Sequence, residues 1–285
     1  MRNVLVVGAG TMGSQIALQT ALAGRYSVVL VDADSDQLKR AYEQNQRLVA
    51  RSVEKGRVDP ERGKTALESI HLTAELEAPV SSADLLVEAV FEDFDVKRRI
   101  FERADAAAPQ HAIFASNSSS IAISRLAAAT KRPDRCCNMH FFHPVTVMQL
   151  CEVVQGPQTS DETIATAMEF VRSIDRVPVH IRKEIHGFIV NRVLVAAVEE
   201  ALRLLEGGYA TYADIDLAVK KGLNWPLGPF ELLDFSGIDI FYGVLADRQS
   251  LGEGPEPSRL LKEKLDRGEL GRKTGKGFYE YSGKD

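Results

Sequence analysis

One histidine stands apart among the six in the chain. His140 lies in the apolar run Asn138-Met139-His140-Phe141-Phe142, shortly before Pro144, whereas His71, His111 and His180 sit among polar or peripheral residues. Imidazole titrates nearer neutrality than any other unperturbed side chain, which suits it to take a proton from a hydroxyl group. A second apolar run, Gln149-Leu150-Cys151-Glu152-Val153-Val154, carries Glu152. A turn at 143–146 between two such strands would bring carboxylate and imidazole together, fixing the ring's tautomer and stabilising its protonated form. A lone buried histidine is more often a satisfied core residue; the matching carboxylate on the next strand favours catalysis. Ser116-Asn117-Ser118-Ser119-Ser120 follows another apolar strand at its C-terminal end, where open α/β sheets hold ligands. At least one of these serines is expected to cap the next helix.

A second constellation opens the chain. Gly8-Ala9-Gly10-Thr11-Met12-Gly13 is a GxGxxG sequence that follows an apolar strand and begins a helical pattern. In that context Gly8 permits a tight turn, Gly10 lets backbone approach a pyrophosphate, and Gly13 lets helix and strand pack closely. Free N–H groups and the helix dipole, from Thr11 and Met12 onward, would hold the phosphates. Asp32 ends the second apolar strand, where a carboxylate meets ribose hydroxyls and repels a 2'-phosphate, so NAD is expected rather than NADP. No arginine directly follows Asp32, and Ser35 is available to cap the next helix in its place. Glu88 ends the buried run Leu85-Leu86-Val87-Glu88-Ala89-Val90, with Lys97 in the following helix; a carboxylate in such a run is unusual unless functional or paired, so both are expected beside the nicotinamide half of the cofactor, the alternative being a structural ion pair. A base beside a nicotinamide site is the equipment for moving hydride between an alcohol and NAD.

The elements that must position these groups alternate. Short apolar runs at Val4–Val7, Val28–Val31, Ala83–Val90, Ala112–Ala115, Cys137–Phe142 and Val177–Ile181 are separated by helical patterns, among them Thr11–Ala23, Gln37–Lys55 and Val96–Ala108. This predicts an α/β fold: a Rossmann-type, doubly wound, mainly parallel sheet covered on both faces. After residue 180 the pattern turns helical, with Phe188–Leu205 apolar around most of its circumference, then segments begun by Thr211 and stopped at Gly222, Phe230–Leu245 and Ser258–Leu265. Residues 1–183 are therefore expected to form the NAD-binding domain and 184–285 an all-α domain for substrate binding and dimerisation. Gly271-Arg272-Lys273-Thr274-Gly275-Lys276-Gly277 lacks phosphate-loop spacing and reads as a packed closure of that second domain.

Bulk properties narrow the classes. At 285 residues two domains are the better prior, and 45% hydrophobic with 26% charged residues is ordinary for a globular protein. A net charge of -5 argues against a nucleic-acid binder. The apolar start is too short for a membrane span and lacks a secretory cleavage pattern. Three cysteines, two of them adjacent and none in a CxxC pair, fit a reducing compartment, so a cytoplasmic protein is expected. No metal site is indicated.

At these residues the chain resembles the short-chain L-3-hydroxyacyl-CoA dehydrogenases, including the bacterial 3-hydroxybutyryl-CoA dehydrogenases. The matching segments run through nearly the whole chain: GAGTMG at 8–13, LVEAV at 86–90, ASNSSS at 115–120, MHFFHPV at 139–145, MQLCEVV at 148–154, GFIVNR at 187–192, NWPLGPFELLD at 224–234 and GRKTGKGFYEY at 271–281. The resemblance implies an (S)-3-hydroxyacyl-CoA substrate, His140 as general base with Glu152 as its partner, Ser119 bonded to the substrate hydroxyl and Asn191 near the reacting carbon. It implies further that Asn117 helps place the nicotinamide and that the protein is a homodimer through its second domain. The chain departs from the family with His143 in place of Asn, Ser118 in place of Thr, His186 in place of Pro and Trp225 in place of His. His143 is expected to couple to His140 by charge repulsion and so to alter the acid limb of the pH–rate profile. Arg47, Arg51 and Lys55, spaced i, i+4, i+8 on one helix face, would meet the phosphates of coenzyme A or would simply be a solvated face. Two alternatives remain: a dehydrogenase of the same fold acting on a free hydroxy or sugar acid, such as the gulonate dehydrogenases, and a non-catalytic NAD-binding protein.

Overall fold

A computed structural model describes Met1–Tyr281. Its elements run β1 (Asn3–Val7), α1 (Thr11–Leu22), β2 (Ser27–Val31), α2 (Ser35–Glu54), α3 (Pro60–Ser69), β3 (Ile70–Thr73), α4 (Glu77–Val80), β4 (Leu85–Glu88), α5 (Phe94–Ala107), β5 (Ile113–Ser116), α6 (Ile123–Ala127), β6 (Cys136–Phe141), β7 (Leu150–Gln155), α7 (Asp161–Ser173) and β8 (Val177–Ile181). The strands form one sheet in the order β3-β2-β1-β4-β5-β6-β7-β8, and every neighbouring pair is parallel except β6 with β7. This is the expected Rossmann-type fold. The strand order reverses direction between β1 and β4, which opens a crevice at their C-terminal ends.

Both faces of the sheet are covered, so the central strands are apolar without alternation. One face buries Val4, Val6 and Leu30 with Ile16 of α1, Leu38 of α2, Ala66 of α3 and Phe170 of α7. The other buries Leu5, Leu86 and Phe114 with Val80 of α4, Phe101 of α5 and Leu126 of α6. α3, β3, α4, α6 and α7 have no counterpart among the expected elements. β3 carries polar His71 and Thr73 and is covered mainly through Ile70, which hides it from a search for apolar runs. α2 is capped by Asp34, whose carboxylate accepts from Asp36 N at 2.8 Å, and not by Ser35.

The chain divides into two compact units, Met1–Ile189 and the remainder from Val190. The first unit runs past the expected boundary at 183 because 184–189 is packed on it. Glu184 Oε1 accepts from Ser124 N at 2.6 Å, Ile189 N donates to Glu152 at 3.0 Å, and Phe188 clusters with Val154 and Ile181. The second unit holds α8 (Val190–Glu206), α9 (Tyr212–Gly222), α10 (Pro229–Ser236), α11 (Ile238–Ser250) and α12 (Arg259–Asp266). α8 buries one stripe, Val195, Val198, Ala201 and Leu202, and leaves Val193 exposed, so it is more amphipathic than its composition suggests. The expected helix over 230–245 is two helices, because Gly237 at φ 103° turns the backbone between α10 and α11. The glycine-rich C-terminal stretch is tied to Asp234, which accepts from Phe278 N at 2.9 Å, Tyr279 N at 2.8 Å and the Tyr281 hydroxyl at 3.0 Å. Among the described residues no helix is long and apolar enough to cross a membrane, and no His/Cys/Asp/Glu cluster suits a metal ion.

Candidate active site

The loop between β1 and α1 is shaped by what its glycines allow. Gly8 has φ 104°, and a Cβ there would come within 2.6 Å of Ala89 O. A Cβ on Gly13 would collide with Gly8 O, so α1 can pass this close to the loop only without a side chain. Gly10 is different: a Cβ there would meet nothing within 4 Å. Gly10 is also the N-cap of α1 and provides no side-chain cap, so the first-turn N–H groups around Thr11 and Met12 face open ground. A cavity of about 510 Å³ adjoins, lined by Gly8, Gly10, Asp32, Val90, Val96 and Ile100 among others. Open space before an uncapped helix N-terminus, beside an apolar cleft ending in a carboxylate, fits a dinucleotide. Asp32 also braces the glycine loop, because its Oδ2 accepts from Ala9 N at 2.7 Å and its Oδ1 from Asp34 N at 2.9 Å. Arg40 is engaged with Asp34 at 2.9 Å.

Glu88 and Lys97 form a buried ion pair at 2.7 Å, both with side chains at most 1% exposed. Glu88 also accepts from Val90 N at 2.7 Å and from the Ser116 hydroxyl at 2.6 Å. Burial pushes its carboxyl above the usual range, against the pull of Lys97. The Lys97 ammonium meets Glu88, Val90 O at 3.2 Å and Glu92 at 3.2 Å. Its three hydrogens therefore have protein acceptors, and the pair braces the crevice wall beside the glycine loop.

Glu92 is the group that sequence reasoning missed. It accepts from the hydroxyls of Ser118 and Ser120, the latter at 2.6 Å, and so ties the serine loop after β5 to the loop after β4. Burial alone would raise its carboxyl, but those hydroxyls and Lys97 outweigh it and hold Glu92 below its ordinary value. A signal was present: adjacent parallel strands bring their C-terminal loops together, so a carboxylate just past β4 must face the serines just past β5. Within that loop Ser118 is buried and accepts from Ile121 N at 2.8 Å. Asn117 Oδ1 accepts from Phe141 N at 2.9 Å, joining the loop to β6. Ser119 is half-buried, and among the described residues its hydroxyl has no hydrogen-bond partner.

The expected pair is present. His140 and Glu152 are directly opposite in the antiparallel register of β6 and β7, and His140 Nδ1 lies 2.8 Å from Glu152 Oε2. Glu152 is 1% and His140 8% exposed. A carboxylate on Nδ1 accepts its hydrogen, so the neutral ring keeps a lone pair on Nε2, and a proton arriving there is stabilised by the carboxylate. Phe142 and Phe188 pack on the imidazole at 4.6 and 5.4 Å between ring centres. His143 is exposed. Asn191 stands in the first turn of α8, in the second unit. Arg47, Arg51 and Lys55 are all exposed on α2 and its C-cap, with no ion-pair partner among the described residues.

A dinucleotide crevice whose strand ends also carry an imidazole–carboxylate pair has the make-up of an NAD-dependent dehydrogenase. The family models for the 3-hydroxyacyl-CoA dehydrogenase NAD binding domain and C-terminal domain match residues 3–185 and 187–281. The chain belongs to the 3-hydroxyacyl-CoA dehydrogenase family, NAD-dependent oxidoreductases acting on a CH–OH group. It is 41% identical over 289 residues to the mitochondrial hydroxyacyl-coenzyme A dehydrogenase of Sus scrofa, covering 99% of this chain and 91% of that protein. It is 40% identical to a 3-hydroxybutyryl-CoA dehydrogenase of Bradyrhizobium diazoefficiens, covering 99% and 96%. Among solved structures, (S)-3-hydroxybutyryl-CoA dehydrogenase from Ralstonia eutropha superposes with a TM-score of 0.93 at 36% identity, covering 99% of this chain and 100% of that one. A diketoreductase that acts on dicarbonyl compounds superposes with a TM-score of 0.88, also at 36% identity and covering 99% of each chain.

Proposed function

We propose that this protein interconverts (S)-3-hydroxyacyl-CoA thioesters, such as 3-hydroxybutyryl-CoA, and their 3-keto forms, with His140 as general base. The observation that carries the reading is the 2.8 Å contact of His140 Nδ1 with the buried Glu152. Bound NAD supplies the acceptor for the hydride leaving C3. The protein's own part is to take the hydroxyl proton on His140 Nε2, to stabilise the resulting imidazolium with Glu152, and to hold the substrate oxygen through Ser119. Asn191 is assigned to the substrate near the reacting carbon and Asn117 to placing the nicotinamide. The same groups serve the reverse reaction, with His140 returning the proton to the ketone oxygen.

Replacing His140 with Gln is expected to lower kcat by about 10²- to 10⁴-fold, the usual worth of a general base, while NADH affinity by fluorescence titration stays the same. Turnover at the wild-type rate would end the assignment. The diketoreductase likeness favours one second reading, a carbonyl substrate without coenzyme A. Initial rates with acetoacetyl-CoA and with free acetoacetate, each with NADH, separate the two.

The exposed cations Arg47, Arg51 and Lys55 support a coenzyme A contact, because a phosphate needs charges that are not already neutralised. Charge reversal at Arg51 is expected to raise KM for acetoacetyl-CoA about 10-fold and to leave KM for an acetoacetyl-pantetheine analogue nearly unchanged; equal effects on both refute the contact. We also place the protein in the cytoplasm, where its three buried, unpaired thiols stay reduced, and assign it a homodimer through the second unit.

A further inference from the structure

Three residues other than glycine have a positive φ among those described: Asp175 at 57°, Asn224 at 57° and Phe188 at 51°. Asp and Asn tolerate the left-handed region because their short polar side chains bond locally. Phenylalanine has no such compensation and stays there only where its surroundings over-determine the backbone. Gly187 precedes it at φ 74°, so two successive residues turn left-handed just before Ile189.

That turn has two effects at one place. It delivers Ile189 N–H to Glu152 Oε1 at 3.0 Å, while Glu152 Oε2 faces His140 Nδ1 at 2.8 Å. It also seats the Phe188 ring, 3% exposed, 5.4 Å from the imidazole. The ring is held by Val154 and Ile181. Val154 and Ile181 are register partners in the row that includes Asn138, one step along the same sheet face from the row of His140, Glu152 and Val179.

We infer that Phe188 is a positioning residue for the reaction, clamping the left-handed turn whose Ile189 N–H orients Glu152 and, through Glu152, the ring of His140. A carboxylate held at both oxygens cannot rotate away from the imidazole, so the base keeps its tautomer and its direction. Without the ring seated on Val154 and Ile181, the turn loses the packing that pins it to the sheet, and the N–H it presents to Glu152 is no longer fixed. The inference rests on the assignment of His140 and Glu152 made above.

The test is a double-mutant cycle in the full-length protein, comprising wild type, Phe188→Leu, Glu152→Gln and both together. Phe188→Leu is expected to lower kcat by about 10- to 100-fold, the scale of a small misplacement in an active site. KM for acetoacetyl-CoA, and the NADH dissociation constant from fluorescence titration, should stay within about twofold. In the Glu152→Gln background the same substitution should cost less than about threefold, because the group it positions is gone. Equal losses in both backgrounds, or a raised KM at unchanged kcat, overturn the inference. Wild-type turnover by Glu152→Gln removes the parent assignment as well, which is a distinct result. Phe188→Gly accepts φ 51° without strain yet lacks the ring, so it serves if the leucine variant does not fold. It should show the same fall in kcat, and full turnover by it would mean that the ring has no part.

Discussion

Glu92 shows how a carboxylate outside the proposed chemistry can decide where the hydroxyl proposed to bind substrate sits. It gathers Ser118, Ser120 and Lys97, and the loop it holds is the one that presents Ser119. Changing Glu92 to Gln removes the negative charge and forces one acceptor to become a donor. A hydrogen bond to a charged group is worth about 1.5–3 kcal/mol, so kcat/KM for acetoacetyl-CoA is expected to fall about 10-fold or more. An unchanged value would show that the loop keeps its shape without the carboxylate. The three thiols illustrate the opposite case. Burial raises all of them, Cys136 to about 12, which disfavours the thiolate at neutral pH.

At the scale of elements, the start of the sheet depends on one acid. Asp84, just before β4, accepts from Arg2 N at 2.5 Å and Asn3 N at 3.0 Å, and lies 2.8 Å from His111 Nε2. Burial works against its charge, but these partners prevail and lower it from 3.8 to about 2. Because the folded state favours the ionised form, the stabilisation is present above about pH 4 and is lost as pH falls through about 2. The shift corresponds to about 2 kcal/mol. Asp84→Asn should therefore unfold at lower urea concentration at pH 7, with the gap from wild type narrowing from pH 4 towards pH 2. A gap independent of pH would assign the effect to packing alone. In the second unit Asp216 and Asp234 act as similar internal caps: Asp216 accepts from Phe230 N at 2.8 Å and Glu231 N at 2.9 Å, closing the N-terminus of α10. Burial raises Asp216 despite those bonds.

At the scale of the whole molecule, the second unit leaves apolar side chains in water. Val193, Leu217, Leu223 and Ile240 are each more than half exposed. Large apolar side chains left in water are what the homodimer proposed above would cover. Sedimentation velocity is expected to find two chains per particle for the wild type and a single chain for Val193→Glu or Ile240→Glu. A wild-type monomer at micromolar concentration would refute the dimer.

Much of this protein was legible in its residues because the signals were local. The glycine hexamer, the apolar strands, the acid at the end of β2 and the histidine and glutamate on neighbouring runs depend on spacing within a few residues, and so did the family resemblance. The opposing register of residues 140 and 152 followed from two strands joined by a short turn. Tertiary structure alone decided the rest. It engaged Lys97 with Glu88 and Glu92, brought Glu92 under the serine loop, moved the domain boundary to 189 by packing Phe188 onto β7 and β8, and inserted β3 at the sheet edge beside β2. These outcomes join residues distant along the chain or hang on a single backbone angle. Periodicity reports which face of a segment is apolar, but not which distant segment will cover it.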